Sequence, residues 1–405
     1  MNQVWSFEDI AAFGKEVDGV LEIKNSFTID KLHDGSMQCV IVSAMAAYKG
    51  EKAPKIYFEL SDKDQDTSLC PYHLGWINLL PYDPNRPIYS SHLYRIGKRE
   101  EYVFQSWRVP PMFFRTLKIT MRVEIPEGTT LCIKTFGAEY NSATKPWDGG
   151  LRFNAHLGFW GLAPENTMRT FELAAVCGFP ACIVVPKATK DGVLVCLHDE
   201  TLTKTARDEN GNPPSEELFV SEMTYEELLK WDFGTYRNKV FKGTRIPLLE
   251  DFFALCSRTG MRPMFSTHPD MSTEDWLRIK AMLKKYGILG NFHIKSGGLD
   301  IIEHAYSIFG TEIEGYTWDK SAIDAELVGK FDALGIDKTK CRVGIEVQMG
   351  KYTPEIAKMI TDAGYFAAAW AIKRRDFEEY ERLIEMGVTE FTEDYHCSMG
   401  LNFQA

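Results

Sequence analysis

The chain has 405 residues, 44% hydrophobic and 25% charged, with a formal net charge of −11. That length exceeds one ordinary domain, and that composition belongs to a water-soluble globular protein able to build sizeable cores. The acidic balance, with no basic cluster among aromatics, argues against nucleic acid or anionic membrane as the main partner. No run approaches the ~18 apolar residues that a membrane span needs.

Nine cysteines are scattered along the chain without a C-x-x-C pair. Several lie inside apolar runs, as at Cys132 and Cys196, where cysteine acts as a small hydrophobe. Free thiols in a reducing cytoplasm are the expectation. Met1-Asn2-Gln3-Val4-Trp5 lacks the basic region and apolar core of a signal peptide.

Residues 1–148 alternate like β structure. Strands are expected at Met37–Ser43, Lys55–Leu60 and Leu117–Glu124, the last alternating strictly. Pro126-Glu127-Gly128 reads as a turn, with Leu131–Phe136 as the hairpin partner of Leu117–Glu124. Phe7 to Phe13 is the one short helix expected. The pattern predicts an antiparallel β-sandwich of jelly-roll type. Aromatics are dense from Tyr72 to Trp107 (Trp76, Tyr82, Tyr89, Tyr94, Tyr102, Phe104), which suits either carbohydrate stacking or core packing. A glycan is the partner expected of this domain if it binds one. Asn141 to Gly150 reads as a linker.

Residues 150–405 change rhythm. Apolar runs alternate with helical segments, the mark of parallel α/β architecture. Strands are expected at Leu151–His156, Ala181–Pro186, Arg262–Thr267, Asn291–Ser296, Glu314–Trp318, Arg342–Val347, Phe366–Ala371 and Thr389–Asp394. Helices are expected at Asn166–Cys177, Leu248–Ser257, Thr273–Tyr286, Thr353–Ala363 and Asp376–Met386. Eight strands in roughly 250 residues predict a (β/α)8 barrel, whose chemistry sits at the C-terminal strand ends.

One segment breaks the alternation. Ile183–Val185 and Val193–His198 flank a Lys-Asp-Gly turn, a hairpin signal. With Thr189 facing Gly192, paired positions sum to 381, and His198 faces Ile183. His156 ends the first strand. Two imidazoles at adjacent strand ends suit general acid/base work.

The ordered motifs Ala155-His156-Leu157-Gly158, Pro164-Glu165-Asn166-Thr167, Thr189 to Gly192, His198-Asp199 and Ile246-Pro247-Leu248-Leu249-Glu250 resemble those of the glycerophosphodiester phosphodiesterases. Trp370-Ala371-Ile372 and Gly387 to Tyr395 extend the resemblance over about 150–396. It implies a phosphodiesterase barrel of lipid metabolism, with His156 and His198 as the catalytic pair.

The resemblance also implies a divalent cation held by three carboxylates and two cationic phosphate contacts. Here Ile183, Val185 and Ser266 stand at the carboxylate positions, Leu157 at the arginine and His268 at the lysine. Hard cations need oxygen ligands, so no divalent cation is expected at that place. Glu165, Asp199, His268, Lys295, Glu346 and Trp370 are the remaining candidates for substrate binding, with Asp199 orienting His198 and Asn166 capping the first helix. Trp318 is a second ring that could line the mouth.

Three functions are compatible with these residues. The first is a metal-independent phosphoric diester hydrolase acting on a glycerol- or sugar-phosphodiester. The second is a glycosidase with Glu346 or Asp319 as its carboxylate. The third is a non-catalytic carbohydrate-binding protein on a retained barrel. Fold alone does not choose among them.

Overall fold

The computed structural model describes residues 3–33, 39–62, 89–90, 94–109, 117–141, 151–160, 163–176, 179–237, 241–267, 271–370 and 377–393. Two compact units emerge, Met1–Ala143 and Thr144–Arg374 with Glu378–Tyr395.

The first unit is built on two β-sheets. One has the order Val103–Val109, Cys39–Lys49, Thr130–Asn141, Val20–Ile23, Lys15–Val17, with Gln3–Trp5 and Lys98–Arg99 attached at the side. The other runs Phe27–His33, Leu117–Glu124, Lys55–Asp62, Tyr89–Ser90, with Tyr94–Arg95 on its third strand. Pairing is antiparallel apart from Cys39–Lys49 with Lys98–Arg99. Trp107 of the first sheet is fully buried, its ring 6.4 Å from that of Phe58 on the second. The short helix Phe7–Ala11 is fixed by a capping box, in which the Ser6 amide donates to Asp9 at 2.7 Å.

The expected hairpin of Leu117–Glu124 with Leu131–Phe136 does not form. Leu117–Glu124 pairs with Phe27–His33 and Lys55–Asp62, whereas Thr130–Asn141 pairs in the other sheet. The connection is anchored against a return. The amide of Ile125 donates to Ser26 Oγ at 2.8 Å, and Thr129 Oγ1 donates to the carbonyl of Lys52 at 3.0 Å. Of the aromatic stretch, Tyr72, Trp76 and Tyr82 lie outside the described residues, as do the side chains of Tyr89 and Tyr94. Phe104 is 39% exposed, and Tyr102 lies beneath Lys134, whose Nζ is 3.9 Å from the ring centroid.

The second unit is a closed barrel of eight parallel strands. They are β1 (Arg152–Ala155), β2 (Ala181–Val184), β3 (Arg262–Ser266), β4 (His293–Ser296), β5 (Gly315–Lys320), β6 (Arg342–Gln348), β7 (Phe366–Trp370) and β8 (Val388–Glu393). All eight expected strands are present in the expected order. The expected helices form at Met168–Val176, Leu249–Thr259, Thr273–Lys285, Pro354–Asp362 and Phe377–Glu385, and among the described residues others form at Tyr225–Leu228, Leu299–Phe309 and Ala325–Asp332.

Alternation along the strands sorts the side chains into two environments. Phe265 packs outward on Trp276, Phe391 on Tyr380 and Trp318 on Phe331. Trp318 is therefore a packing residue, with its indole N–H bonded to the Gly297 carbonyl at 3.1 Å. The inward set is polar at the N-terminal strand ends. Arg262 bridges Glu314 at 2.8 Å and Glu390 at 3.2 Å, Arg342 reaches Glu390 at 2.9 Å, and Arg152 reaches Glu314 at 2.6 Å. His293 donates or accepts at both ring nitrogens, to Glu314 and to Thr317.

Candidate active site

The C-terminal rim begins at His156, whose amide donates to the Glu393 carbonyl at 2.9 Å and so ties the end of β1 to the end of β8. The chain then reverses sharply. Leu157 has φ +52° and Gly158 φ +85°. A Cβ on Gly158 would stand 2.1 Å from Thr170 Cγ2, so only glycine fits. Asn166, at φ +50°, donates its amide to the Leu157 carbonyl at 3.0 Å. Its side-chain Oδ1 accepts from the Val185 amide at 3.2 Å. Asn166 thus ties the loop to β2 and is not the helix cap that was expected. The neighbouring Thr167 takes that place, accepting from the Thr170 amide at 3.5 Å.

Beyond β2 the chain folds back through the two-stranded sheet Pro186–Ala188 and Leu194–Cys196. Its register differs from the expected one by a residue: Pro186 faces Cys196 and Lys187 faces Val195, so positions sum to 382. The cause is the turn. Gly192 adopts φ +78°, which makes Lys190-Asp191-Gly192 a three-residue loop between Thr189 and Val193. Thr189 Oγ1 holds that loop, accepting from the Val193 amide at 2.8 Å and donating to Asp191 at 2.6 Å. The Leu197 amide meets the Val185 carbonyl at 2.9 Å. In that register the position opposite His198 is Val184 and not Ile183. His198 emerges at the rim of β2, next to the strand that carries His156.

His198 is exposed and its Nδ1 lies 2.7 Å from Asp199 Oδ1. That hydrogen bond, helped by Lys204, holds the Asp199 carboxyl below its ordinary range in spite of partial burial. Glu165 is buried and accepts from Lys204 Nζ at 3.0 and 3.2 Å. Lys204 is also 3.7 Å from Asp199. Glu165, His198 and Asp199 each offer one ligand atom, all within 4.8 Å of one another, a set that could hold a metal ion. An ion there would compete with the Lys204 ammonium for Glu165 and Asp199. Lys187, largely buried, pairs with Glu200, four residues past the end of the hairpin.

Beside the histidines the rim is hydrocarbon. Leu157, Trp160, Ile183, Val185 and Met264 form one buried cluster, with Ile183 wholly inaccessible. Ser266 is partly buried at the end of β3. Trp160 stands edge-on to His156, ring centroids 6.4 Å apart.

The opposite wall is polar. Lys295 is buried on β4, paired with Glu346 of β6 and 3.4 Å from Asp319 of β5. Thr392 Oγ1 donates to Glu346 at 2.6 Å. Burial works against the Lys295 charge, but Asp319 and Glu346 outweigh it and hold the ammonium protonated. Burial pushes the Glu346 carboxyl up, with Lys295 pulling against it. Trp370 ends β7 in register with Gln348 and Thr392, partly buried on the same barrel face as Thr392. The structure thus brings Glu165, His198 and Asp199 into one group and Lys295 and Glu346 into another. His268 lies outside the described residues.

Residues 156–285 match the model of the glycerophosphoryl diester phosphodiesterase family. A glycerophosphodiester phosphodiesterase of Caldanaerobacter subterraneus is 38% identical over 101 residues, 25% of this chain and 38% of that one. One from Bacillus subtilis strain 168 is 22% identical over 254 residues, 60% of this chain and 82% of that one. The stronger local matches span only 36–39% of the relatives' own length. In fold, the chain is similar to a phosphodiesterase of Oleispira antarctica solved in complex with the product sn-glycerol-3-phosphate. The TM-score is 0.53 at 21% identity, covering 61% of this chain and 94% of that one.

Proposed function

We propose, on the premise that the barrel unit belongs to the glycerophosphodiester phosphodiesterase family, that this protein hydrolyses a glycerol- or sugar-phosphodiester without a divalent cation at the family's usual place. The observation that carries the reading is the His198–Asp199 pair on the rim of β2, beside the strand that ends in His156. A neutral His198 donating its Nδ1 proton to Asp199 leaves Nε2 as a base. It takes the proton of a substrate hydroxyl next to the diester, and that oxygen attacks phosphorus. His156 gives a proton to the departing alkoxide, releasing the alcohol and leaving a cyclic phosphate, which water then opens to the phosphomonoester with the two histidines in exchanged roles.

The residues at the family's cation place do not fit a cation. Ile183 and Val185 are buried among Leu157, Trp160 and Met264 and present no side-chain oxygen. Near the histidines, Lys204 supplies the positive charge that Glu165 and Asp199 require.

Phosphorus NMR of a glycerophosphodiester incubated with the protein tests the reading. A cyclic phosphate should appear before the phosphomonoester, and His156→Ala or His198→Ala should each slow its formation by roughly 10²- to 10⁴-fold. Direct appearance of the phosphomonoester, or full activity in both variants, would overturn it.

A further inference from the structure

The barrel mouth has two halves of different chemistry. At the ends of β1 to β3 it is closed by the hydrocarbon of Leu157, Ile183, Val185 and Met264. From β4 to β8 its lining is polar, and the strand register shows which side chains share it. Thr317 faces inward, since it bonds His293 on the floor. Asp319 follows on the same face of β5 and stands level with Glu346 of β6. Gln348, next on that face of β6, is level with Trp370 of β7, and Trp370 with Thr392 of β8. Thr392 Oγ1 reaches Glu346 across β7, where Ala368 offers only a methyl group.

This wall is built in two layers. Lys295 and Glu346 are buried and paired, and Lys295 lies 3.4 Å from Asp319 Oδ2. Asp319, Gln348 and Trp370 stand nearer the solvent, each only partly buried. Among the described residues, Asp319 Oδ1 and the Gln348 side-chain amide make no hydrogen bond. They offer acceptors and an amide donor beside an aromatic ring. Hydroxyl groups, which donate and accept at once, match such a set. A cationic headgroup matches it poorly, because the Lys295 ammonium already offsets the Asp319 charge. An anionic group would meet the Asp319 carboxylate.

We infer that Asp319, Gln348 and Trp370 form a subsite for a neutral polyol ring, the alcohol portion of the phosphodiester that carries the attacking hydroxyl. The inference rests on the phosphodiesterase reading, which puts the phosphate at His156 and His198. The interior of an eight-stranded barrel admits little more than one small ligand. Only β8 separates β7 from β1, so a ring bonded to that phosphate comes within reach of Trp370. The Trp370 face packs on the ring carbons, Asp319 accepts from a hydroxyl, and Gln348 both donates and accepts. Such a ring also carries a hydroxyl next to the diester, as the proposed attack requires.

Glycerophosphoinositol and glycerophosphocholine both carry a hydroxyl beside the diester, and only the first carries a polyol ring. Steady-state kinetics on the full chain should give a lower KM for glycerophosphoinositol. Gln348→Ala should raise that KM about 10-fold, as the loss of one or two hydrogen bonds does, and lessen the preference between the two diesters by the same factor. Calorimetry with myo-inositol 1-phosphate reads binding apart from turnover, and Gln348→Ala should weaken it to a similar extent. Equal KM for the two diesters, or an unchanged preference in Gln348→Ala, with turnover lost in His156→Ala, overturns the polyol subsite and leaves the phosphodiesterase reading standing. Binding of myo-inositol 1-phosphate that Gln348→Ala weakens, without cleavage of either diester, supports the subsite and overturns the reading. If wild type neither binds nor cleaves, both fall. Should Gln348→Ala not fold, an unchanged preference in Asp319→Asn is the overturning result.

Discussion

The backbone amide of Leu197 donates to the carbonyl of Val185 at 2.9 Å, and that contact fixes where His198 stands. It is the last rung of a hairpin that leaves β2 and returns to its rim. A residue either way would turn His198 to the other face of the ribbon. The three-residue turn at Lys190-Asp191-Gly192 therefore sets the position of an imidazole six residues away.

The pairing of His198 with Asp199 predicts a graded loss. His198→Ala removes the proton acceptor, and Asp199→Asn leaves it present but poorly oriented. Steady-state kinetics on a phosphodiester should show kcat lowered roughly 10²- to 10⁴-fold, with Asp199→Asn at the lower end and KM little changed in both. A KM effect without a kcat effect in Asp199→Asn would make it a binding residue instead.

The hydrocarbon cluster predicts intolerance to charge. Ile183 is wholly buried beside Leu157, Val185 and Met264. Ile183→Glu would leave a carboxylate there without a partner, a change that costs about 3–5 kcal/mol. Urea unfolding should show the midpoint falling accordingly. An unchanged midpoint would mean that this position is hydrated.

The floor of the barrel predicts acid lability. Burial opposes ionisation of Glu314 and Glu390, yet His293 followed by Arg262 and Arg342 at Glu314, and Arg262 and Arg342 followed by His293 at Glu390, outweigh it and hold the two carboxyls below their ordinary range. Burial also lowers His293. For each group the unfolded chain binds the proton more readily, so stability rises with pH. The carboxylate contribution is complete above their ordinary value of 4.5 and is lost as pH falls below it. The His293 contribution is complete above 6.5 and declines on acidification from there. Thermal melts should fall below pH 6.5 as His293 gains its proton and again below pH 4.5 as the carboxylates do, and Arg262→Met should lessen the second fall at a cost of about 3–5 kcal/mol.

Much of this was legible in the residues. The eight barrel strands announce themselves because each is a short apolar run between helical segments. His156 and His198 follow from their places at strand ends. The hairpin register differs by one residue from the expected one because a two-residue turn and a three-residue turn with Gly192 in the left-handed region use the same letters. The helix Leu299–Phe309 was missed because Gly298 before it offers no side-chain cap, and Ala325–Asp332 because Gly329 interrupts its pattern. Asn154, Arg262 and Glu390 meet on the barrel floor across up to 236 positions of sequence, which no local pattern encodes.

Hydrolysis by the histidine pair is proposed to need no cation at the Ile183–Val185 place. It is tested most directly by turnover of a glycerophosphodiester by wild-type protein, with and without EDTA and with added magnesium or calcium. Equal rates in all conditions, abolished in His156→Ala, are predicted. Turnover that EDTA stops and the metal restores would contradict it.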